Sequence, residues 1–383
     1  MNVPIRAAII GGGMIADVHQ RAIRAAGGTV IGVLGSSPER STATAAMWGV
    51  PQGYADLETL LSDAPDVVHV CTPNNMHVEY ALAVIHAGIH VVCEKPLAPT
   101  YGQAVLLADA ADTAGIVATV PFVYRYHPLV REIRARRIAG EFGRTLLLHG
   151  SYLQDWLVDP LTSSWRVDAS ANGASRAFAD IGSHWCDLAM FVSGEEFVEL
   201  CATTTVAYTE RPTPAGASFG STRDESTGRI TVTTEDTAMV LLRAASGVTA
   251  STVVSQVSAG RKNRLWLELD GSRHSAAFDQ ENPESFWLGG EQGSMTLHRG
   301  EGSVSGAQQR LNLVPAGHAQ GYTDAFAAFV TDTYAAIRGY APEGLPTFRD
   351  GAASSAIVDA VLASATTETW QSIAQLPSEG DPA

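Results

Sequence analysis

Short apolar runs alternate with amphipathic stretches over the first third of the chain. Ile5 to Ile10, Thr29 to Leu34, Asp66 to Cys71, residues 89 to 93 and Ile116 to Val120 read as strands, with a further, poorly defined one near Tyr54. Between them apolar residues recur at helical spacing: Ile15, Val18, Ala22 and Ile23 share one face up to a stop at Gly27-Gly28. Further helices are expected over 76–87, ending at Gly88, and from Thr100 to Ala114, ending at Gly115. Buried strands alternating with helices predict a doubly wound parallel sheet. After a helix over 129–139 the pattern changes. Runs at 144–152, 197–207, 230–243, 247–257, 264–270 and 274–279 alternate apolar residues with Thr, Ser and Glu. They predict a large, mostly antiparallel sheet with one face covered by helices and the other open to a second subunit. Residues 209–229, rich in Pro, Gly, Ser and Thr, read as a long loop whose role the sequence does not assign. Helices at about 320–338 and 350–371 close the chain.

With 383 residues the chain exceeds the size at which a single core stops growing, so two domains are expected, over 1–124 and 125–383. The first is an α/β domain and the second an α+β domain that carries the substrate and oligomer surfaces. The composition, 45% hydrophobic and 17% charged, is that of a globular protein, and no apolar run approaches the roughly 18 residues of a membrane span. The N-terminus enters a strand without the order of a signal peptide, which points to the cytoplasm. Cys71, Cys93, Cys186 and Cys201 stand singly and read as reduced core residues. A net charge of −15 repels phosphate backbones and argues against nucleic acid as a partner.

The chemistry gathers where strands end. Gly11, Gly13 and Ala16 fit G-x-G-x-x-G/A between a strand and an amphipathic helix that begins at Met14 and Ile15. That context lets backbone amides reach a pyrophosphate at the positive end of a helix, as in a Rossmann dinucleotide fold. The second strand ends in Gly35-Ser36-Ser37-Pro38-Glu39-Arg40, without an acidic side chain at the strand terminus for a ribose 2′-hydroxyl. Ser36, Ser37 and Arg40 therefore lean toward a 2′-phosphate, and NADP over NAD; alternatively Ser37 caps a helix and Arg40 is solvated. Cys71-Thr72-Pro73-Asn74-Asn75-Met76-His77 ends one strand and Glu94-Lys95-Pro96 the next, both on the ligand-binding edge of such a sheet. Only two of the 25 cationic side chains are lysines, Lys95 and Lys262. A lysine kept at a strand mouth suggests a need for an amine that can release a proton, against the plainer reading of a side chain snorkelling to water.

In the second domain Asp180-Ile181-Gly182-Ser183-His184-Trp185-Cys186-Asp187 would place Asp180, His184 and Asp187 on one helix face. A metal site, a cap with a packed histidine, and an acid/base pair all remain open there. No other cluster completes a ligand set, so no metal is expected. Gly-Gly-Gly-Met-Ile-Ala-Asp-Val-His, Cys-Thr-Pro-Asn-Asn-Met-His and Glu-Lys-Pro-Leu, in that order, resemble the signatures of the glucose-fructose oxidoreductase, inositol dehydrogenase and rhizopine-catabolism (Gfo/Idh/MocA) family. Phe122 to Pro128, which contains Arg125, is similar to the family segment that enters the second domain, and the Asp180 stretch resembles its Asp-x-Gly-x-His-x-x-Asp motif.

The resemblance implies an NAD(P)-dependent enzyme that moves hydride to or from a hydroxyl-bearing carbon of a sugar, cyclitol or derivative. The cofactor would lie along the glycine turn, Ser36 to Arg40, Cys71 to Asn74, His77, Glu94 and Lys95. Lys95 would also hydrogen-bond the reacting oxygen, His184 would take the hydroxyl proton, and Asp180 would orient the imidazole. Trp165-Arg166 looks like the family's element near the sugar. Arg125, Tyr152, Gln154, Trp156 and His318 are further pocket candidates, which otherwise read as ordinary strand and loop surface. The glycine run of many relatives is replaced by Asn172 to Phe178, which puts the substrate contacts in question. A homodimer or homotetramer is expected. The alternatives are a glycoside-cleaving enzyme with transient sugar oxidation and a non-catalytic cofactor-binding regulator.

Overall fold

The computed structural model describes residues 3–213, 222–223, 228–302 and 304–376. The chain forms two compact units: residues up to Val123 join Thr323–Ser355 in one, and the other is built on the chain from Tyr124.

Among the described residues, the first unit carries β1 (Arg6–Ile10), β2 (Thr29–Leu34), β3 (Gln52–Gly53), β4 (Val67–Val70), β5 (His90–Cys93) and β6 (Ala118–Thr119). They form one parallel sheet in the order β3-β2-β1-β4-β5-β6. Helices α1 (Met14–Ala25), α2 (Pro38–Trp48), α3 (Leu57–Ser62), α4 (His77–His86) and α5 (Tyr101–Ala114) connect the strands. Val67, Val68, Val70, Val91 and Val92 are fully buried, as expected of a sheet covered on both faces. The chain leaves β1 toward β2 on one side and reaches β4 on the other. The loops after β1, β4 and β5 therefore open at a topological switch point, where such sheets bind ligands. Helix Tyr322–Ile337 lies almost wholly in this unit, as does the start of helix Phe348–Thr367. Sequence periodicity finds these helices but does not place them here.

In the second unit the described residues form a nine-stranded sheet. In spatial order its strands are Gly293–His298, Ser285–Gly290, His274–Asp279, Arg264–Gly271, Thr145–Leu153, Thr249–Ser255, Thr237–Ala244, Phe197–Thr205 and Gln371–Ser372. Thr145–Leu153 and Thr249–Ser255 pair in parallel and the other neighbours antiparallel. Strands Ser285–Gly290 and Gly293–His298 are not legible in the sequence pattern, because paired glycines and exposed small residues dilute their alternation. The single strand expected over 230–243 is two, Arg229–Thr231 and Thr237–Ala244. Arg229–Thr231 pairs with Glu210–Pro212, and Thr222–Arg223 pairs with Thr162–Ser163. The expected structureless loop over 209–229 is thus partly ribbon, and its residues 214–221 and 224–227 lie outside the described residues.

Helix Ser183–Ser193 packs on this sheet through Gly150, where a Cβ would stand 2.4 Å from Trp185 Nε1. The Trp185 indole N–H donates to the Trp266 carbonyl at 2.9 Å, which fixes the helix that carries His184. The four cysteines carry no disulfide. No helix among the described residues is long and apolar enough to cross a membrane.

Candidate active site

At the end of β1, Gly11 turns the chain with φ of +116°, and a Cβ there would meet the Cys71 carbonyl oxygen at 2.5 Å. Only glycine lets the loops after β1 and β4 touch backbone to backbone. Gly13 occupies the N-cap of α1; a Cβ there would meet nothing within 4 Å, and no side chain caps the helix. Its first amides can therefore be met by a phosphate, and Met14 and Ile15 begin the turn that presents them.

At the end of β2 the side chain of Ser37 is already committed. Its hydroxyl accepts from the Arg40 N–H at 3.3 Å and donates to Glu39 at 2.7 Å, which lowers the Glu39 pKa. Ser37 thus acts as the N-cap of α2, the plainer of its two readings, while Ser36 and Arg40 are exposed.

The loop after β4 is tied to the loop after β5 by His77. This buried imidazole has Nδ1 2.8 Å from the Pro96 carbonyl and Nε2 3.1 Å from the Thr72 carbonyl. Burial lowers its pKa, against the two carbonyls and Glu94, which raise it. His77 thereby sets the position of Thr72, Pro73 and Asn74 relative to the Lys95-Pro96 pair, whose peptide bond is cis. Glu94 is buried: Oε1 lies 3.0 Å from His19 Nε2, and Oε2 accepts the Lys95 backbone N–H at 3.1 Å. Lys95 itself is partly exposed.

In the second unit Phe178–Gly182 is a turn of π-helix, and the α-helix starts only at Ser183. The assumption of one α-helix running from Asp180 is corrected: the wider turn changes the angular spacing between Asp180 and His184. Asp180 accepts from Gln256 Nε2 at 2.9 Å, and Arg166 Nε lies 3.9 Å from it. Arg166 also stacks on Trp165, 4.6 Å from the ring centre. Asp187 receives Arg125 Nε at 2.9 Å and a second guanidinium contact, both side chains being buried. The guanidinium of Arg125 is therefore engaged by the protein.

The His184 ring packs edge-on against Tyr124 at 5.0 Å and tilted against Tyr152 at 6.4 Å, and the residue is 8% exposed. The two tyrosine hydroxyls are 2.5 Å apart; Tyr152 donates to Asn263 Oδ1 at 2.7 Å, and Asn263 Nδ2 donates to Tyr124 at 3.2 Å. Gln154 Nε2 joins the same Asn263 oxygen at 2.9 Å, and the Trp156 indole donates to Gln154 at 3.0 Å. Burial raises the pKa of both phenols, so both stay protonated donors. Tyr152, Gln154 and Trp156 are thus in one network beside His184, whereas His318 lies on an exposed loop. Sequence reasoning misses Tyr124, Asn263 and Gln256. Their one local signal is a glutamine at the end of the valine-rich run Thr249–Ser255.

On the sheet of the second unit, His149, Glu268 and Asp270 bring one ligand atom each to within 4.8 Å of the others. Glu268 stands opposite His149 across the strand pair. Burial and Asp270 raise the Glu268 pKa while His149 opposes this, which is what an imidazole between two carboxylates does for charge.

Two family models match the chain: an oxidoreductase family with an NAD-binding Rossmann fold over residues 5–122, and the Gfo/Idh/MocA C-terminal domain over 130–277. A levoglucosan dehydrogenase from Pseudarthrobacter phenanthrenivorans is 32% identical over 356 residues, covering 89% of this chain and 88% of that protein. Among solved structures, a levoglucosan dehydrogenase in complex with NADH and L-sorbose aligns with a TM-score of 0.88 at 29% identity, over 97% of this chain and 99% of that one. An inositol dehydrogenase homologue from Azotobacter vinelandii complexed with NAD+ aligns with a TM-score of 0.81 at 26% identity, over 96% and 97%. Glycine turn, anchored Glu94-Lys95 and caged His184 thus stand in a chain that matches these proteins nearly end to end, and the protein belongs to the Gfo/Idh/MocA family of NAD-binding oxidoreductases.

Proposed function

We propose that the protein transfers hydride between a nicotinamide cofactor and a secondary carbinol carbon of a pyranose or anhydropyranose. The observation that carries this reading is the caging of His184 by Tyr124 and Tyr152, with Asp180 held by Gln256 close by in sequence. Phenols and an imidazole in one network suit a polyhydroxylated ring, since they donate and accept at fixed points. In the oxidative direction His184 takes the hydroxyl proton as hydride leaves, Asp180 favours the imidazolium, and Lys95 hydrogen-bonds the same oxygen as it gains alkoxide character. The cofactor supplies the hydride acceptor, and Gly11, Gly13 and the Thr72 loop would hold it. Trp165, Arg166, Tyr152 and Gln154 contact the sugar. The test is one panel: NAD and NADP against levoglucosan, pyranoses, inositols and glycosides, followed at the nicotinamide absorbance. Turnover of a glycoside with release of its leaving group and no net absorbance change would favour the glycoside-cleaving alternative. Tight cofactor binding with no turnover on any member would favour a regulator.

For the cofactor, exposed Ser36 and Arg40 at the end of β2 favour a 2′-phosphate, and NADP is the preferred form. Arg40→Ala is expected to raise the KM for NADP about tenfold, the loss of one charge-assisted phosphate contact, and to leave that for NAD within about twofold. A higher kcat/KM with NAD in the unmodified protein would reverse the assignment.

A second copy of the chain covers the outer face of the nine-stranded sheet. Along Thr237–Ala244 alternate residues are buried, while Met239 and Leu241 are 57% and 55% exposed. Met239 pairs across to Val253, also exposed, which widens the apolar strip. Met239→Lys with Leu241→Lys is expected to convert a dimer or tetramer to a smaller species by sedimentation, without loss of secondary structure. A wild-type protein that sediments as a monomer would remove this proposal.

A further inference from the structure

His69 interrupts the valine run of β4 and is fully buried, and the equally buried His19 faces it from α1. Their Nδ1 atoms are 2.8 Å apart. At one end of this pair His19 Nε2 lies 3.0 Å from Glu94 Oε1; at the other, His69 Nε2 lies 3.2 Å from the buried Tyr334 hydroxyl. The rings meet edge to face, with centres 5.1 Å apart, and Phe326 closes the side of His19 at 4.9 Å. The row Glu94, His19, His69, Tyr334 is continuous and belongs to the first unit throughout.

Proton placement in the row is constrained. An ionised Glu94 only accepts, so His19 Nε2 carries a proton toward it. The Nδ1 pair shares one proton. If it sits on His69, then His69 Nε2 accepts the Tyr334 O–H and every donor points toward Glu94. If it sits on His19, that ring carries both protons as an imidazolium, and His69 Nε2 carries a proton and donates to the Tyr334 oxygen, so this arrangement holds one proton more than the first. Both arrangements satisfy all four ring nitrogens, and in both His19 Nε2–H donates to Glu94. Burial drives His69 well below the ordinary imidazole value, with His19 adding to the effect. Burial alone would raise Glu94, but the hydrogen bond and charge of His19, then Lys95 and His77, outweigh it and leave its pKa lowered. The remaining groups facing the row are the Cys71 and Cys93 thiols, raised by burial, and Asp66 and Arg338, which act on Tyr334 with opposite sign.

Apolar residues of similar shape could fill this volume without polar cost, so a buried polar row is weak evidence for a stability role alone. We propose that His19, His69 and Tyr334 are positioning residues for hydride transfer: the row holds Glu94 as a carboxylate, and Glu94 in turn fixes the backbone of Lys95. This inference rests on the role of Lys95 given above. His69 is the link that the row cannot lose, since among the described residues it alone joins His19 to Tyr334.

The test compares Lys95→Ala, His69→Phe, His69→Gln and Tyr334→Phe in the full chain, with the sugar of the panel that turns over fastest. Glu94 keeps its charge until pH falls through its lowered pKa, so loss of its support moves that ionisation to higher pH. Protonation of the base His184 sets the first part of the acid limb of kcat/KM, and loss of the Glu94 charge steepens the limb at lower pH; His69→Phe is expected to shift that steeper part upward by about one pH unit, or about tenfold in rate there, with cofactor Kd within about twofold. Tyr334→Phe shifts the limb less, in the same direction. His69→Gln, whose amide can accept from Tyr334 and donate to His19, returns the limb toward wild type. An unmoved acid limb in folded His69→Phe, or in Tyr334→Phe where His69→Phe does not fold, makes the row structural and overturns the inference. If Lys95→Ala is inactive and the limb is unmoved, the inference alone fails; if Lys95→Ala turns over normally, the role of Lys95 fails with it.

Discussion

Alanine at Lys95 or at His184 is expected to lower kcat by roughly two to four orders of magnitude while the cofactor still binds. The two side chains stand in different chemical settings. His184 sits in a ring cage that excludes water on the Tyr124 and Tyr152 sides, and its neighbour Trp185 is anchored to the sheet. Lys95 follows a carboxylate that is held through both oxygens. If both side chains act on one carbinol oxygen, their losses are not additive: Lys95→Ala/His184→Ala falls only slightly below the worse single variant. Losses that multiply would mean separate steps. Cofactor binding, read by fluorescence of the reduced nicotinamide, separates chemistry from folding. Near-normal turnover in either single variant would sink the assignment.

The parallel sheet is legible because its information is local. Thr29 to Leu34 is predicted and observed with the same bounds, and the helix stops at Gly88 and Gly115 carry positive φ, as glycine stops do. What the sequence hides is pairing over distance. Tyr334 reaches His69 across 265 positions, and nothing near either residue announces the other. The two strands after Ser285 are weak because Gly289 and Gly290 remove the alternation that marks a strand. At the site, the residues proposed to act in hydride chemistry carry motif signals, but the groups that hold them do not. Gln256 and Asn263 are amides in or beside strands, and their role appears only when the fold brings them to Asp180 and Tyr152. Helical spacing also misleads at Asp180, since a π-turn cannot be read from residue type.

Asp236→Leu is expected to be the most destabilising single change near the site, and worse than Arg176→Met. Arg176 and Asp236 form an ion pair whose side chains are both 0% exposed. Removing one member of such a pair costs about 3–5 kcal/mol, because the other charge stays buried. The two changes are not equivalent. After Arg176→Met, Asp236 keeps Arg211 at 3.6 Å and the N–H groups of Ala207 and Tyr208, at 2.7 and 3.3 Å. After Asp236→Leu, two buried guanidiniums lose their shared carboxylate. Burial already lowers the Arg211 pKa and Arg176 adds to this, with Asp236 the main opposing group. Glu235 does not replace it, since its oxygens accept from Ser175 and from the backbone N–H groups of Arg176 and Phe178. Arg176 also donates to Gln256 at 3.2 Å, and Gln256 holds Asp180, so Arg176→Met should lower kcat further than the fall in stability explains. Urea unfolding with a shared m-value ranks the variants. A larger loss for Arg176→Met than for Asp236→Leu would show that Arg176, and not the shared carboxylate, is the centre of this network.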